Sequence, residues 1–315
     1  MKILIAYDGS ECAEAALDDL KQAGLPIDAE ALVLSVTEAW LPPPPPSSYE
    51  IVEEAMLADT PAELQRIHTM SSKAVEDART LALRARARLQ NNFPVWKVTA
   101  EATYGSPASE VIRRADEWKP DLIVVGSHGR SALGRFVLGS VSQKVLTESR
   151  SSVRVARGRV EVDDSPARIV IGVDGSEAAE VAVREVARRV WPPSTKVRVI
   201  IVDEPLAPTL VGSLIPPVRE SVAAVNQDVR QLVLAVAERA ATELRKAGLA
   251  ASAFVKEGDP KRVLVAEAEE WGADSIFLGS TGTGSRFERF LLGSVSAAVA
   301  ARAHCSVEVV RARVE

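Results

Sequence analysis

The stretch GSHGRSALGRFVLGS, from Gly126 to Ser140, places glycines, serines and basic side chains directly after the apolar run LIVV. Glycine lets a backbone approach an anion without a Cβ in the way, and free N–H groups at the start of a helix supply donors and partial positive charge. A helix is expected to begin at Gly139 and Ser140, where the hydroxyls of Ser140 and Ser142 add further donors. The stretch therefore predicts a cradle for a polyphosphate.

Three basic side chains of the same stretch could offset phosphate charge, namely His128, Arg130 and Arg135. The structural alternative is a glycine-rich connection that leads into a capped helix, and a lone histidine is more often a loop or surface residue than a ligand group. The spacing of the glycines is a more specific signal than any single residue. Two residues separate Gly126 from Gly129, and nine separate Gly129 from Gly139.

A second candidate position follows the first apolar run, where Asp8 and Gly9 precede Ser10. Ser10 is a suitable helix N-cap, so a strand-to-helix turn explains this triplet by itself. A carboxylate at such a strand end can also accept a hydrogen bond from a ribose hydroxyl or a base amine. Asp8 recurs as Asp174 in a repeated segment, which favours a function shared by both copies.

The segments that must position these residues occur twice in the chain, as an internal repeat. KILIAYDGSECAEAAL from Lys2 returns as RIVIGVDGSEAAEVAV from Arg168, GSPASEVIRRADEWKPDLIVVGS from Gly105 returns from Gly258, and LGSVSQKVL from Leu138 returns from Leu292. We predict two copies of one domain, residues 1–157 and 168–315, joined by a polar linker at 158–167.

Within each copy, short apolar runs alternate with helical patterns. In the first copy the runs are ILIAY, ALVLSV, VWKVTAEA, DLIVVG and SVRVA. Apolar residues at three- and four-residue steps predict the crossover helices; these are Ala74, Val75, Ala78, Leu81, Ala82, Ala85 and Leu89 in one copy and Leu232, Val236, Ala240 and Leu244 in the other. The fold class is α/β, with an open five-stranded parallel sheet in each copy and ligands expected beyond the carboxyl ends of the strands.

Composition limits the classes of function. A formal net charge of −5 in 315 residues gives no overall basic field, so nucleic acid is not an expected partner. Cys12 and Cys305 stand far apart in the chain, and no run of 18 apolar residues occurs, so we expect a cytoplasmic protein without a disulfide framework or a membrane partner. Pro42 to Pro46 predicts a stiff loop, and RARAR, from Arg84 to Arg88, predicts a solvated helix face.

The G-2x-G-9x-G-S spacing occurs together with AYDGS, GSP, PDLIVVGSHGRS and SVRVAR, in this order along the chain. This combination resembles the universal stress protein family, and the resemblance covers both copies. It implies the strand order 3-2-1-4-5 in each copy and ATP binding in members that keep the glycine motif. It also implies that the C-terminal strands around 153–156 and 307–310 pair to form an internal pseudo-dimer, with a further homodimer as an additional expectation.

Carried over by position, the resemblance puts Asp8 on adenine or ribose and the backbone of Val36 against adenine. The predicted cofactor-binding residues of the first copy are Asp8, Gly9, Val36, Gly126, His128, Gly129, Arg130, Gly139, Ser140, Val141 and Ser142. Mg or Mn is expected to bridge the phosphates, because the phosphate chain of ATP needs a divalent cation. No carboxylate cluster for a dedicated metal site is visible in the sequence.

The second copy departs from the motif. Its predicted site residues are Asp174, Val202, Gly279, Gly282, Gly293, Ser294 and Ser296. Ten residues instead of nine separate Gly282 from Gly293, and Thr281 and Thr283 replace the basic His128 and Arg130. We expect a second site that is weaker, selective for a less charged nucleotide, or empty.

The favoured function is that of a stress-response regulatory protein that binds ATP or another adenine nucleotide through the first copy. Slow ATP hydrolysis or nucleotidyl transfer at the same site is one alternative, although no catalytic residue is assigned. A chaperone-like module that binds no nucleotide is the other.

Overall fold

A computed structural model describes residues 1–38, 62–128, 138–157, 166–204, 216–280 and 292–312. The proline-rich stretch and most of the predicted linker lie outside the described residues. Two similar halves follow one another along the chain. The elements of the first half are β1 (Lys2–Ala6), α1 (Glu11–Asp19), a 3-10 turn (Leu20–Gln22), β2 (Glu30–Thr37), α2 (Ala62–Asn92), β3 (Lys97–Tyr104), α3 (Pro107–Trp118), β4 (Leu122–Gly126), α4 (Ser140–Glu148) and β5 (Ser152–Ala156).

The second half repeats this order. Its elements are β6 (Arg168–Val173), α5 (Glu177–Arg188), β7 (Lys196–Asp203), α6 (Pro216–Lys246), β8 (Ala250–Glu257), α7 (Pro260–Trp271), β9 (Ser275–Gly279), α8 (Ser294–Arg302) and β10 (Ser306–Val310).

The strands of the described residues form one ten-stranded sheet in the order β3-β2-β1-β4-β5-β10-β9-β6-β7-β8. Strands within each half are parallel, and β5 and β10 pair in antiparallel orientation. The predicted α/β class, the strand order 3-2-1-4-5 and the pairing of the C-terminal strands are confirmed. The further homodimer stays a prediction.

The antiparallel pair places Arg154 directly opposite Glu308. Side chains alternate across a strand, so the valines on either side of these two residues face the other way, into a hydrophobic cluster shared by both halves. Arg154 and Glu308 are both fully buried, with 0% of each residue exposed. The centre of the joint between the halves is therefore apolar on one face of the sheet and ionic on the other.

The ionic face is a chain of alternating charges that crosses the joint: Asp19, Arg154, Glu308, Arg189 and Glu185. Arg154 Nε lies 2.6 Å from Asp19 Oδ2, and Arg154 Nη1 lies 3.4 Å from Glu308 Oε2. Arg189 contacts both Glu308 and Glu185. Burial alone would lower the pKa of the Arg154 guanidinium, but the charges of Asp19 and Glu308 raise it above its ordinary value.

Two further arginines, one from each half, donate hydrogen bonds to the other half at corresponding positions. Arg157 Nη2 donates to the carbonyl of Ala300, 2.7 Å away, in the last turn of α8. Arg311 Nη2 donates to the carbonyl of Leu146, 2.5 Å away, in the last turn of α4. Carbonyls at a helix C-terminus lack partners within the helix and carry partial negative charge, so each arginine caps a helix of the other half.

One sequence-based expectation about side-chain position is wrong, and a second holds for the exposed Arg84 and Arg86 but only in part for Arg88. Leu232 was expected on the core face of α6 but is 68% exposed, because the helix turns Ala237, Ala241 and Leu244 toward the sheet. Arg88 was expected on a solvated face, but its guanidinium forms ion pairs with Glu14 and Asp18 of α1.

Candidate functional site

The predicted site residues of the first half meet at one edge of the sheet. Asp8, Val36 and Gly126 lie at or just beyond the carboxyl ends of β1, β2 and β4. Since β2 and β4 flank β1 on opposite sides, the chain crosses the sheet in opposite directions there, which opens a crevice. The crevice is a cleft of about 570 Å³, and the start of α4 forms part of its wall.

Asp8 is held at the mouth of this cleft by the turn that follows β1. Its Oδ1 accepts from the Ser10 N–H at 3.0 Å, and Gly9 adopts a φ of 74° that favours glycine. Ser10 Oγ in turn accepts from the N–H of Ala13, which caps α1. The carboxylate therefore stabilises the turn and also lines the cleft, so the two interpretations of this residue are compatible.

The start of α4 differs from that of α1 because its N-cap is Gly139, which has no side chain to accept from the first N–H groups. The Gly139 N–H donates to the Ser127 carbonyl at 2.8 Å and closes the loop. The N–H groups of Ser140, Val141 and Ser142 begin the helix, and helix geometry gives such groups no intrahelical acceptor. This uncapped end at a cleft is suited to an anion.

The Ser142 side chain has a different role from the expected one. Its hydroxyl donates to the Gly126 carbonyl at 2.6 Å, and its counterpart Ser296 donates to the Gly279 carbonyl at 2.7 Å. A hydroxyl has a single proton to donate, so these two side chains fasten a helix start to a strand end. They can contribute backbone N–H groups to an anion, but in this arrangement no hydroxyl proton.

His128 also lies in the cleft wall, with its Nδ1 3.0 Å from Ser127 Oγ. Burial and the nearby charge of Arg157 lower the pKa of the imidazole below its ordinary value of 6.5. Burial therefore disfavours the protonated, positively charged form of this ring in the free chain. Its Nε2 is buried without a hydrogen-bond partner among the described residues.

Val36 is placed so that its backbone can meet a ligand. The carbonyl of Leu34 accepts from the Tyr7 N–H, and strand alternation points the backbone groups of Val36 to the same side. β1 ends at Ala6, so that side opens to the cleft, and the Tyr7 carbonyl is already taken by the Ser35 hydroxyl at 2.7 Å.

Sequence reasoning missed the polar network beside the cleft. The Tyr7 hydroxyl donates to Glu14, and Glu14 and Asp18 both pair with Arg88 of α2. Burial and the Glu14 carboxylate raise the pKa of the Tyr7 hydroxyl. The network holds α2 against α1, and α2 contributes Asp77 and other residues to the cleft wall. These residues are far apart in the sequence and meet only because α2 packs on α1, so no local sequence pattern indicated the network.

Several predicted site residues lie outside the described part of the chain. In the first half these are Gly129, Arg130 and Arg135, and in the second half Gly282. The described residues bring no three His, Cys, Asp or Glu side chains together as a metal-binding group. Cys12 and Cys305 are free thiols, and burial raises the pKa of Cys305 to about 12.

The second half forms a smaller cleft of about 280 Å³. The predicted residues that line it are Asp174, Val202, Gly279, Gly293, Ser294 and Ser296. Its floor contains Leu264 and Leu278, at the positions that Val111 and Val125 occupy in the first half. A Cβ at Gly172 would lie 2.5 Å from Leu278 Cδ2, so the Leu278 side chain fills the space that a side chain at position 172 would occupy. Larger side chains thus occupy part of the second cleft.

No helix among the described residues combines the length and apolar character needed to cross a membrane.

The model of the universal stress protein family matches residues 1–157 and again 167–311. A universal stress protein of Mycobacterium tuberculosis is 28% identical over 320 residues, which cover 98% of this chain and 96% of that protein. One of Mycolicibacterium smegmatis is 34% identical over 206 residues, covering 61% of this chain and 62% of that protein.

Among solved structures, a universal stress protein from Archaeoglobus fulgidus superposes with a TM-score of 0.56 at 21% identity, covering 98% of this chain and 96% of that one. That likeness supports the fold along nearly the whole length. Because the family model matches both halves, this chain belongs to the universal stress protein family, with two family domains in tandem.

Proposed function

We propose that the first half binds an adenine nucleotide, ATP, and that the chain acts as a nucleotide-dependent stress-response regulatory protein. The observation that carries this proposal is the uncapped start of α4 at the wall of a cleft whose opposite side holds Asp8 and the backbone of Val36. Donors for phosphate and acceptors for a nucleoside then line one continuous space, within the size range of small-molecule sites.

Each group has a separate role in this proposal. The N–H groups of Ser140, Val141 and Ser142 bind phosphate oxygens, and the Asp8 carboxylate accepts from a ribose hydroxyl or the base. Val36 offers a backbone donor and acceptor to adenine. Gly126 brings β4 so close to α1 that a Cβ there would lie 3.0 Å from the Cys12 carbonyl carbon, which supports a requirement for glycine at this end of the cradle.

Mg or Mn would be held mainly by the phosphate oxygens of ATP and by water. Magnesium commonly binds through substrate phosphates with few protein ligands. The metal would neutralise part of the phosphate charge.

The second half is proposed to bind nucleotide more weakly or not at all. Its cleft has about half the volume of the first, and Leu264 and Leu278 reach into the space that two valines leave open in the first half. The backbone cradle at Gly293 is retained, so the difference between the halves lies in the room for the base rather than in the helix start.

Native mass spectrometry of the purified chain tests the proposal, and we expect one retained adenine nucleotide. Calorimetric titration with ATP and Mg should give one tight site that Gly139→Val abolishes and Gly293→Val preserves. These are matched variants, because Gly139 and Gly293 have φ of −61° and −65° and ψ of 149°, which valine also adopts. Two equal sites, or unchanged binding in Gly139→Val, would contradict the proposal, and phosphate release over many turnovers would indicate an ATPase instead.

A further inference from the structure

A separate cleft of about 510 Å³ lies between the two halves, away from the strand ends described above. The first half contributes the end of α3 with Lys119 and the segment after α4 with Arg150. The second half contributes Arg184 and Arg188 of α5, and Arg311, which follows β10. Five basic side chains from distant parts of the chain therefore converge on one cavity.

Three carboxylates share this cavity, and the five basic side chains outnumber them. Glu185 already pairs with Arg188 and Arg189, and Asp121 accepts from the backbone N–H of Lys2. Asp116 is the third. Glu180 lies outside the lining but its Oε2 is 3.8 Å from Arg184 Nη1. Five cations against these four carboxylates still leave an excess of positive charge, in a chain whose formal net charge is −5.

Arg311 is the buried member of the group, with 5% of the residue exposed. Its Nη1 donates to the Ser151 carbonyl at 3.2 Å and its Nη2 to the Leu146 carbonyl, while its Nε has no partner among the described residues. Burial lowers the pKa of its guanidinium to about 10, so the group is still charged at pH 7. The acceptors of both bonds are backbone carbonyl oxygens, which carry no full negative charge.

The corresponding place on the other side of the joint lacks this set of cations. By the internal repeat, Arg184 corresponds to Asp18, Arg188 to Gln22 and Lys119 to Gly272. His304 stands in place of Arg150, and only the helix-capping arginine is common to both places. The joint itself therefore requires the capping arginine, whereas the other cations are particular to one side.

We propose that this inter-half cleft binds a small phosphate-bearing anion that bridges the two halves. The planar guanidinium group can donate two parallel, charge-assisted hydrogen bonds to two oxygens of one phosphate. A volume of about 510 Å³ exceeds that of a lone phosphate and suits a phosphorylated metabolite. Since α5 and the segment after α4 belong to different halves, such a ligand stabilises their joint.

The test is calorimetric titration of the full chain with pyrophosphate at low ionic strength. Arg184→Asp introduces the residue found at the corresponding position of the first half, and the Arg184 side chain is 53% exposed, so the fold should tolerate it. Loss of a charge-assisted contact should weaken binding roughly tenfold or more. Arg86→Asp, an exposed arginine on α2, makes the same charge change elsewhere and should leave binding within about twofold. Arg311 is left unchanged because it caps α4.

Gly139→Val separates this cleft from the nucleotide cradle, and the pyrophosphate site should persist in that variant. Binding that disappears in Gly139→Val but survives Arg184→Asp would overturn the proposal, because it would belong to the cradle. An absence of binding in the parent chain would overturn it as well. Arg150→His provides a second variant with the same expected loss. Citrate in place of pyrophosphate tests the chemical class, and tighter binding of citrate would show that the site selects carboxylates.

Discussion

Removal of the Arg154 charge should weaken the joint between the halves more than any change to a surface ion pair. Arg154 is fully buried between Asp19 and Glu308, with its Nε and Nη1 at 2.6 and 3.4 Å from their oxygens. Arg154→Met keeps a long apolar side chain in the same space but leaves two carboxylates near each other without the cation between them.

The expected magnitude follows from these contacts. At an effective dielectric constant of about 20, unit charges about 4 Å apart attract by about 4 kcal/mol. Two such attractions are lost, but the desolvation of the guanidinium is recovered, and Asp19 keeps its bond from the Ser306 hydroxyl, 2.6 Å away. Breaking a buried pair by removing one partner typically costs about 3–5 kcal/mol, and we expect a loss in that range.

Equilibrium unfolding in urea, followed by circular dichroism, measures this loss without the added salt of guanidinium chloride, which would screen the charges. The control is Arg113→Met on α3, whose side chain is 52% exposed and pairs with Glu110 and Glu117. Exposed pairs contribute about 0–1 kcal/mol. A further variant, Arg154→Met with Glu308→Gln, removes the repulsion between Asp19 and Glu308, although Arg189 still contacts position 308, and should recover part of the loss.

Equal destabilisation by Arg154→Met and Arg113→Met would refute the reasoning, because the buried chain of charges would then contribute no more than a surface pair. Strict additivity of Arg154→Met and Glu308→Gln would also refute it, since residues in direct contact should show a coupling free energy of about 0.5–3 kcal/mol.

Two other predictions concern the clefts. Gly172→Ala should destabilise the chain by about 1–3 kcal/mol in the same urea assay because its Cβ would lie 2.5 Å from Leu278 Cδ2. Adding Leu278→Val, which restores the Ala6 and Val125 pair of the first half, should relieve most of that loss, and an unrelieved double variant would contradict the packing argument. The pKa of His128, followed by proton NMR, should lie below 6.5 in the free chain because burial and the charge of Arg157 disfavour the imidazolium. It should rise when ATP binds, so an unchanged or lowered pKa would argue against phosphate near this ring.

The sequence alone determined the order of the elements and the edge of the sheet at which a site forms. The internal repeat predicted two copies of one domain, and the apolar runs indicated parallel strands covered on both faces. Because a parallel αβ topology brings the carboxyl ends of its strands to one edge, Asp8, Val36 and Gly126 could be placed together before their distances were known. The spacing of the glycines was informative for a different reason, because glycine marks positions where the backbone must come close to another group.

Only the tertiary structure decided which side chains complete these sites. Arg88 looked like part of a solvated face, yet the packing of α2 on α1 pairs it with Glu14, and Ser142 uses its hydroxyl on the Gly126 carbonyl. The register of β5 against β10 places Arg154 opposite Glu308, although 153 residues separate them in the chain. Such contacts depend on register, helix rotation and side-chain volume, which long-range packing sets and which leave no periodic signal in the sequence.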